Sequence, residues 1–188
     1  MHSLKKVEKY ASEKLFWEIN EITNSERLKE LPKLNVYEKA IVFKYSNDGF
    51  EDLNESLRIN KGKNLTEFGK LLDTVLLKLS DFEGLVFRKV FLSKSELEKY
   101  IAAYKEKKII TEQTFISTSK SRLIAMEFKG NTFFRIYSKT GKEIEKIAKF
   151  GIHSPPNEKE VLFAPNKQFQ VLEVNELESY TLVTMEEI

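Results

Sequence analysis

Leu85-Val86-Phe87-Arg88-Lys89-Val90-Phe91 is where the chain changes its hydrophobic period. Its β-branched and aromatic residues read as a strand, with Arg88 the first charge inside it. Upstream the spacing is helical. Leu4, Val7, Ala11, Leu15, Ile19 and Ile22 recur at three- and four-residue intervals, which predicts one helix over 4–22 with a single buried stripe. Phe16 and Trp17, beside that stripe, are expected to be core aromatics that dock the segment. A short helix follows, capped by Ser25, carrying Leu28 and Leu31 and stopped by Pro32. Tyr37 to Lys44 is helical and is interrupted by a turn cluster, Ser46-Asn47-Asp48-Gly49. Helical spacing resumes over Phe50 to Ile59, and Leu65 to Leu79 forms a strongly amphipathic helix.

Downstream the pattern belongs to strands. The change of period follows Asp81-Phe82-Glu83-Gly84. Ser93-Lys94-Ser95-Glu96 is a capping box that opens a helix through about Lys107. Thr111 to Thr118 is strand-like, and Leu123, Ile124, Ala125 and Phe128 mark a short helix. Thr132 to Tyr137 is a strand, Thr140-Gly141 a turn, and Ile144 to Ala148 another expected strand. Pro155-Pro156 fixes a loop, because prolines cannot join a ladder. Asn157-Glu158-Lys159-Glu160-Val161-Leu162-Phe163 then runs from loop into strand, and Phe169 to Val174 and Tyr180 to Met185 close the chain. Helices first and strands second give an α+β class with a mixed or antiparallel sheet. A strand-Gly-x-Gly-x-x-Gly-helix unit is absent from the sequence, which disfavours the dinucleotide fold of dehydrogenases.

With 188 residues, 41% of them hydrophobic, the chain can bury one substantial core plus an appendage. Its 31 basic and 29 acidic residues leave a net charge of +2, so composition argues for neither nucleic acid nor an anionic membrane as partner. Cysteine is absent and His2 and His153 are the sole histidines, which excludes thiolate chemistry and makes a zinc centre improbable. Chemistry is left to carboxylates, hydroxyls and arginine. No apolar run reaches the roughly 20 residues that span a bilayer. The start of the chain reads as charged helix without a secretion signal, and the compartment stays open, delivery into a target cell included.

Three polar features stand at predicted strand margins, and each has an ordinary reading alone. Arg88 fits an edge residue that snorkels to water. Ser117-Thr118-Ser119 fits a cap for the following helix. Glu158 and Glu160 fit a solvated strand edge, although residues two apart on a strand face one side, so the two acids are expected to share one space.

In this order the three features resemble the arginine-serine-glutamate class of mono-ADP-ribosyltransferases, a family that includes bacterial exoenzyme toxins and arginine-specific members. Tyr45-Ser46, Phe50, Leu53-Asn54 and Leu57-Arg58 look like the helical segment before the family's arginine strand. Gln168-Phe169-Gln170-Val171 looks like its closing strand. The resemblance implies a helical N-terminal part followed by a mixed, mostly antiparallel, sandwich-like β core. It divides the chain into a helical extension, residues 1–35, and a catalytic domain, residues 36–188. It also implies NAD as substrate, with no metal, and a protein acceptor. Arg88 matches the residue that holds the pyrophosphate, Glu160 the catalytic glutamate that grips the ribose and stabilises an oxocarbenium-like cation, and Ser117 the residue that holds this carboxylate. Thr118 and Ser119 would shape the pocket floor, and Phe128 would pack on nicotinamide. Glu158 matches the base of arginine-modifying members, since a protonated guanidinium attacks only as it loses a proton.

Two departures qualify the match. Lys89 stands where many relatives have glycine, and His153-Ser154-Pro155-Pro156 stands where many carry an aromatic that recognises the target, with Phe150 a candidate substitute. An NAD glycohydrolase using the same residues, or a silent module with the same fold, stays compatible with the sequence.

Overall fold

The computed structural model describes residues 2–188, with side chains from residue 5 onward, so the place of Leu4 in the expected stripe lies outside the described part. The chain forms two compact units, one of Met1–Ser80 and Lys142–Glu160, the other of Asp81–Gly141 and Val161–Ile188.

The first unit is helical. The helix expected over 4–22 is two, α1 (His2–Lys14) and α2 (Phe16–Thr23), because Leu15 leaves helical geometry at φ −124°, ψ 39°. Val7, Ala11, Leu15 and Ile22 are buried as the stripe requires. Phe16 is not a core aromatic: it is 81% exposed, one residue or about 100° of helix beyond the stripe. Trp17 is only partly docked, with its ring 5.7 Å from that of Phe43. The second expected helix is a single 3₁₀ turn, Glu26–Leu28, without a side-chain cap from Ser25, and the residue it turns inward is Arg27 rather than Leu28.

α3 (Val36–Lys44) starts on a reciprocal capping box of Asn35 and Glu38. Ala40, Ile41, Val42 and Phe43 are all fully buried, as in a helix surrounded by others. The turn cluster after it does not break the helix. A π-helical turn, Tyr45–Gly49, carries it into α4 (Phe50–Ile59), and the Ser46 hydroxyl donates to the Phe43 carbonyl at 3.0 Å. α5 (Glu67–Leu76) is capped by Thr66, whose hydroxyl accepts from the Gly69 N–H. The strand expected at Ile144–Ala148 is instead one helical turn, with the Ile147 and Ala148 amides donating to the Ile144 carbonyl. Ile144, Ile147 and Ala148 are all buried, so the helical spacing of these three outweighs their strand propensity.

The second unit carries the sheet. β1 (Asp81–Val90) begins before the expected start at Leu85, and the Ser138 hydroxyl donates to the Phe82 carbonyl in that added part. α6 (Lys94–Glu106) begins on the Ser93/Glu96 capping box, as the motif predicts. The segment expected as one strand over 111–118 is two, β2 (Ile109–Glu112) and β3 (Ile116–Ser119). α7 (Arg122–Glu127), β4 (Thr132–Glu143), β5 (Glu160–Phe163), β6 (Lys167–Glu176) and β7 (Thr181–Glu187) follow. β4 runs through the expected turn at Thr140-Gly141. There the buried Glu187 carboxylate accepts the Lys139 and Thr140 N–H groups at 2.7 Å each.

The strand order is β1-β3-β5-β4-β7-β6-β2. β1–β3, β2–β6 and β6–β7 are antiparallel and β4–β7 is parallel, so the sheet is mixed and mostly antiparallel, as expected. Val86, Ile116, Phe134, Ile136, Val161, Phe163, Phe169 and Met185 build its core with Tyr100 and Ala103 of α6. Each large apolar side chain so buried contributes about 1.5–3 kcal/mol.

Candidate active site

β1 and β3 hold the arginine and the serine motif side by side. Phe87 pairs with Ser119 across the ladder, and Arg88 Nη1 donates to the Ser117 carbonyl at 2.6 Å. Arg88 is therefore fixed by the main chain of the serine motif. Lys89, the departure from the glycine pattern, lies with Nζ 5.9 Å from the centre of the Tyr180 ring.

The three hydroxyl residues separate by environment. Thr118 is buried and its Oγ1 donates to the Val161 carbonyl at 2.6 Å. Ser119 is buried and its Oγ accepts the Ser121 N–H at 3.0 Å. Capping of α7 falls to Ser121, whose hydroxyl accepts from the Ile124 N–H. Ser117 is half-buried and receives Arg88 through its carbonyl. Phe128 ends α7 and is 45% exposed.

The two glutamates do not sit on one strand. Lys159 has φ +50°, and the strand begins only at Glu160. The two-residue alternation that predicts a shared face thus has no strand to act on at Glu158. The Asn157 side chain accepts the Lys159 N–H at 2.8 Å, a local turn that separates the acids. Glu160 is buried at the head of β5, and Val161, Leu162 and Phe163 after it are buried too, so this is no solvated edge. Its neighbour Val161 is the residue that Thr118 holds. The Glu160 carbonyl accepts the Ile144 N–H at 3.1 Å.

Glu158 stays in the loop. Its N–H donates to the Phe150 carbonyl at 3.0 Å, and Asn157 Nδ2 reaches Glu145 Oε2 at 3.4 Å. Glu158 is half-buried, and burial pushes its carboxyl above the ordinary glutamate value. A carboxylate raised in this way is a stronger base and is better matched to neutral pH.

His153 is tied to Glu30, Nε2 to Oε1 at 3.2 Å, so it is a loop anchor. Phe150 is 37% exposed. Two residues of this loop's support escape a sequence reading. Arg27 and Ser46 both reach the segment before Glu158, and nothing in the spacing around either signals it. Among the described residues no group of three or more His, Cys, Asp or Glu side chains is placed to hold a metal ion, and no helix is long and apolar enough to cross a membrane.

Known proteins share this arrangement of elements. A Mycobacterium avium (strain 104) protein, Mav, which bears the name of an NAD(+)–arginine ADP-ribosyltransferase, is 33% identical over 137 residues. That match covers 71% of this chain and 15% of Mav, so the chain spans a small part of its relative's length. The ADP-ribosyltransferase HopU1 of Pseudomonas syringae superposes with a TM-score of 0.76 at 19% identity, covering 90% of this chain and 85% of that one. Exoenzyme S of Pseudomonas aeruginosa, solved with human 14-3-3 protein beta and Carba-NAD, gives 0.77 at 18% identity over 100% and 89% of the two chains. The Vis toxin of Vibrio splendidus, solved with agmatine, gives 0.65 at 20% identity over 98% and 85%. These structures share the fold. The sequence model of one family, described as NAD:arginine ADP-ribosyltransferase, matches residues 7–188, and the chain belongs to that family.

Proposed function

We propose that this chain cleaves the bond between nicotinamide and ribose in NAD and transfers ADP-ribose to an arginine of a protein acceptor, with residues 36–188 as the catalytic domain and residues 1–35 as its helical extension. The observation that carries the reading is the pair of acids in unlike settings: Glu160 buried at a strand head, and Glu158 half-buried in a loop with its carboxyl raised. Two carboxylates with separated environments suit two separate tasks.

Arg88, with its planar fork anchored on the Ser117 carbonyl, suits the pyrophosphate. Phe128 is the proposed platform for nicotinamide, and Thr118 and Ser119 the floor. As the glycosidic C–N bond breaks, its electron pair leaves with nicotinamide and positive charge develops on the ribose. Glu160 is the residue proposed to stabilise that charge and grip a ribose hydroxyl, with Ser117 proposed as the holder of its carboxylate. The acceptor guanidinium nitrogen then bonds to the anomeric carbon, and Glu158 takes the proton that this nitrogen loses. The products are nicotinamide, ADP-ribosylated arginine and a proton.

Agmatine, the small guanidine present in the Vis structure, supplies a direct assay. With NAD labelled in its ADP-ribose part, the expected result is nicotinamide release matched by label on agmatine. Nicotinamide release with an unlabelled guanidine and unlabelled lysate protein makes the chain a glycohydrolase. Failure to bind or cleave NAD makes it a binding module.

A further inference from the structure

The loop that carries Glu158 is fastened at its base to the helices of the first unit, and one buried cation makes the central contact. Arg27, 4% exposed, donates from Nε to the Ala148 carbonyl and from Nη2 to the Lys149 carbonyl, both at 3.2 Å. Its guanidinium carbon lies 5.2 Å from the centre of the Phe43 ring. The Ser46 hydroxyl accepts the Lys149 N–H at 2.8 Å, and Lys149 Nζ lies 5.3 Å from the Trp17 ring. The next residue, Phe150, supplies the carbonyl that holds the Glu158 amide. The Arg27 fork and the hydrogen bond that fixes Glu158 therefore engage adjacent residues, Lys149 and Phe150.

We infer that Arg27 is a positioning residue for the acceptor-activating base: it fixes the Ala148–Phe150 backbone so that Glu158 is held where it receives the guanidine proton. The inference rests on the proposed role of Glu158. The direct contacts of this guanidinium are two neutral carbonyls and a ring; desolvation opposes its charge more than the Glu21 carboxylate favours it, so the burial is a poor way to stabilise a fold. It is a good way to set backbone geometry, because the planar fork dictates where two successive carbonyls point. Proton transfer to a base depends on position at the scale of one hydrogen bond, whereas stabilisation of the ribose cation is assigned to Glu160, outside this loop.

The test compares Arg27→Gln, Arg27→Lys and wild type by two readouts. The first is amide hydrogen exchange at Glu158 and at Ile152, whose N–H donates to the Glu145 carbonyl. Arg27→Gln is expected to speed exchange at Glu158 at least tenfold while the β6–β7 amides keep their rates. The second is the ratio of agmatine labelling to nicotinamide release. It is expected to fall at least tenfold in Arg27→Gln and to recover partly in Arg27→Lys, which restores charge without the fork. An unchanged ratio, or unchanged exchange at Glu158, overturns the inference. If Arg27→Gln does not fold, Ser46→Ala decides by the same readouts, through loss of the acceptor for Lys149. If wild type cleaves no NAD, the functional reading fails by itself, and exchange still decides whether Arg27 fixes the loop.

Discussion

Replacing Glu158 by glutamine separates the two halves of the proposed reaction. The substitution keeps the side-chain volume and leaves the backbone anchor on Phe150 in place, so it removes only the ionisable group. A positioned general base contributes about 10²–10⁴ in rate. Because Glu158 is half-buried and water reaches part of it, the lower half of that range applies. Labelling of agmatine is expected to fall about 10²–10³-fold, roughly 3–4 kcal/mol at about 1.36 kcal/mol per decade. Nicotinamide release into water is expected to fall less than tenfold. Burial raises the Glu158 carboxyl, so the acid limb of wild-type transfer lies above the ordinary glutamate value, and Glu158→Gln abolishes that limb.

The same shift carries a stability signature. The folded state binds the Glu158 proton more tightly than the unfolded chain does. Its favourable contribution is complete below the unfolded pKa and is lost as pH rises through the higher folded value. Thermal melts of Glu158→Gln should therefore match wild type in acid and be no less stable at neutral pH. An equal fall of both activities, or an unmoved acid limb, refutes the assignment of Glu158 as base.

Two further substitutions test what supports the sheet. Glu187→Gln removes charge from a buried carboxylate that accepts two backbone amides and faces Lys167 Nζ at 3.5 Å. It should cost about 1.5–3 kcal/mol, read as a drop in Tm of roughly 3–12 °C at about 2–4 °C per kcal/mol. Thr118→Val removes the hydroxyl bonded to the Val161 carbonyl while keeping shape. It should cost about 1 kcal/mol of stability, with slower nicotinamide release that a melt at the assay temperature separates from unfolding.

What the sequence made legible was whatever local spacing controls. The Ser93–Glu96 capping box opens α6 because both reciprocal bonds lie within one turn. Val161-Leu162-Phe163 reads as a strand from its apolar run, and the structure buries it on both faces as the strand that delivers Glu160. The misses arise where tertiary contacts or backbone geometry override spacing. Lys159 takes a positive φ that no periodicity encodes, which dissolves the shared-face argument for the two acids. Tyr45–Gly49 widens into a π-helical turn where the residue types signal a break. Arg27 turns inward because its acceptors, the Ala148 and Lys149 carbonyls, lie more than 120 positions away in the chain. The arginine, the hydroxyl motif and the acids were visible as residues. Their support was not.

The most direct measurement of the central claim is nicotinamide release from NAD by Glu160→Gln beside wild type, with both proteins shown to be folded. Loss of release to the level of uncatalysed hydrolysis is the predicted result. Release at the wild-type rate contradicts the account.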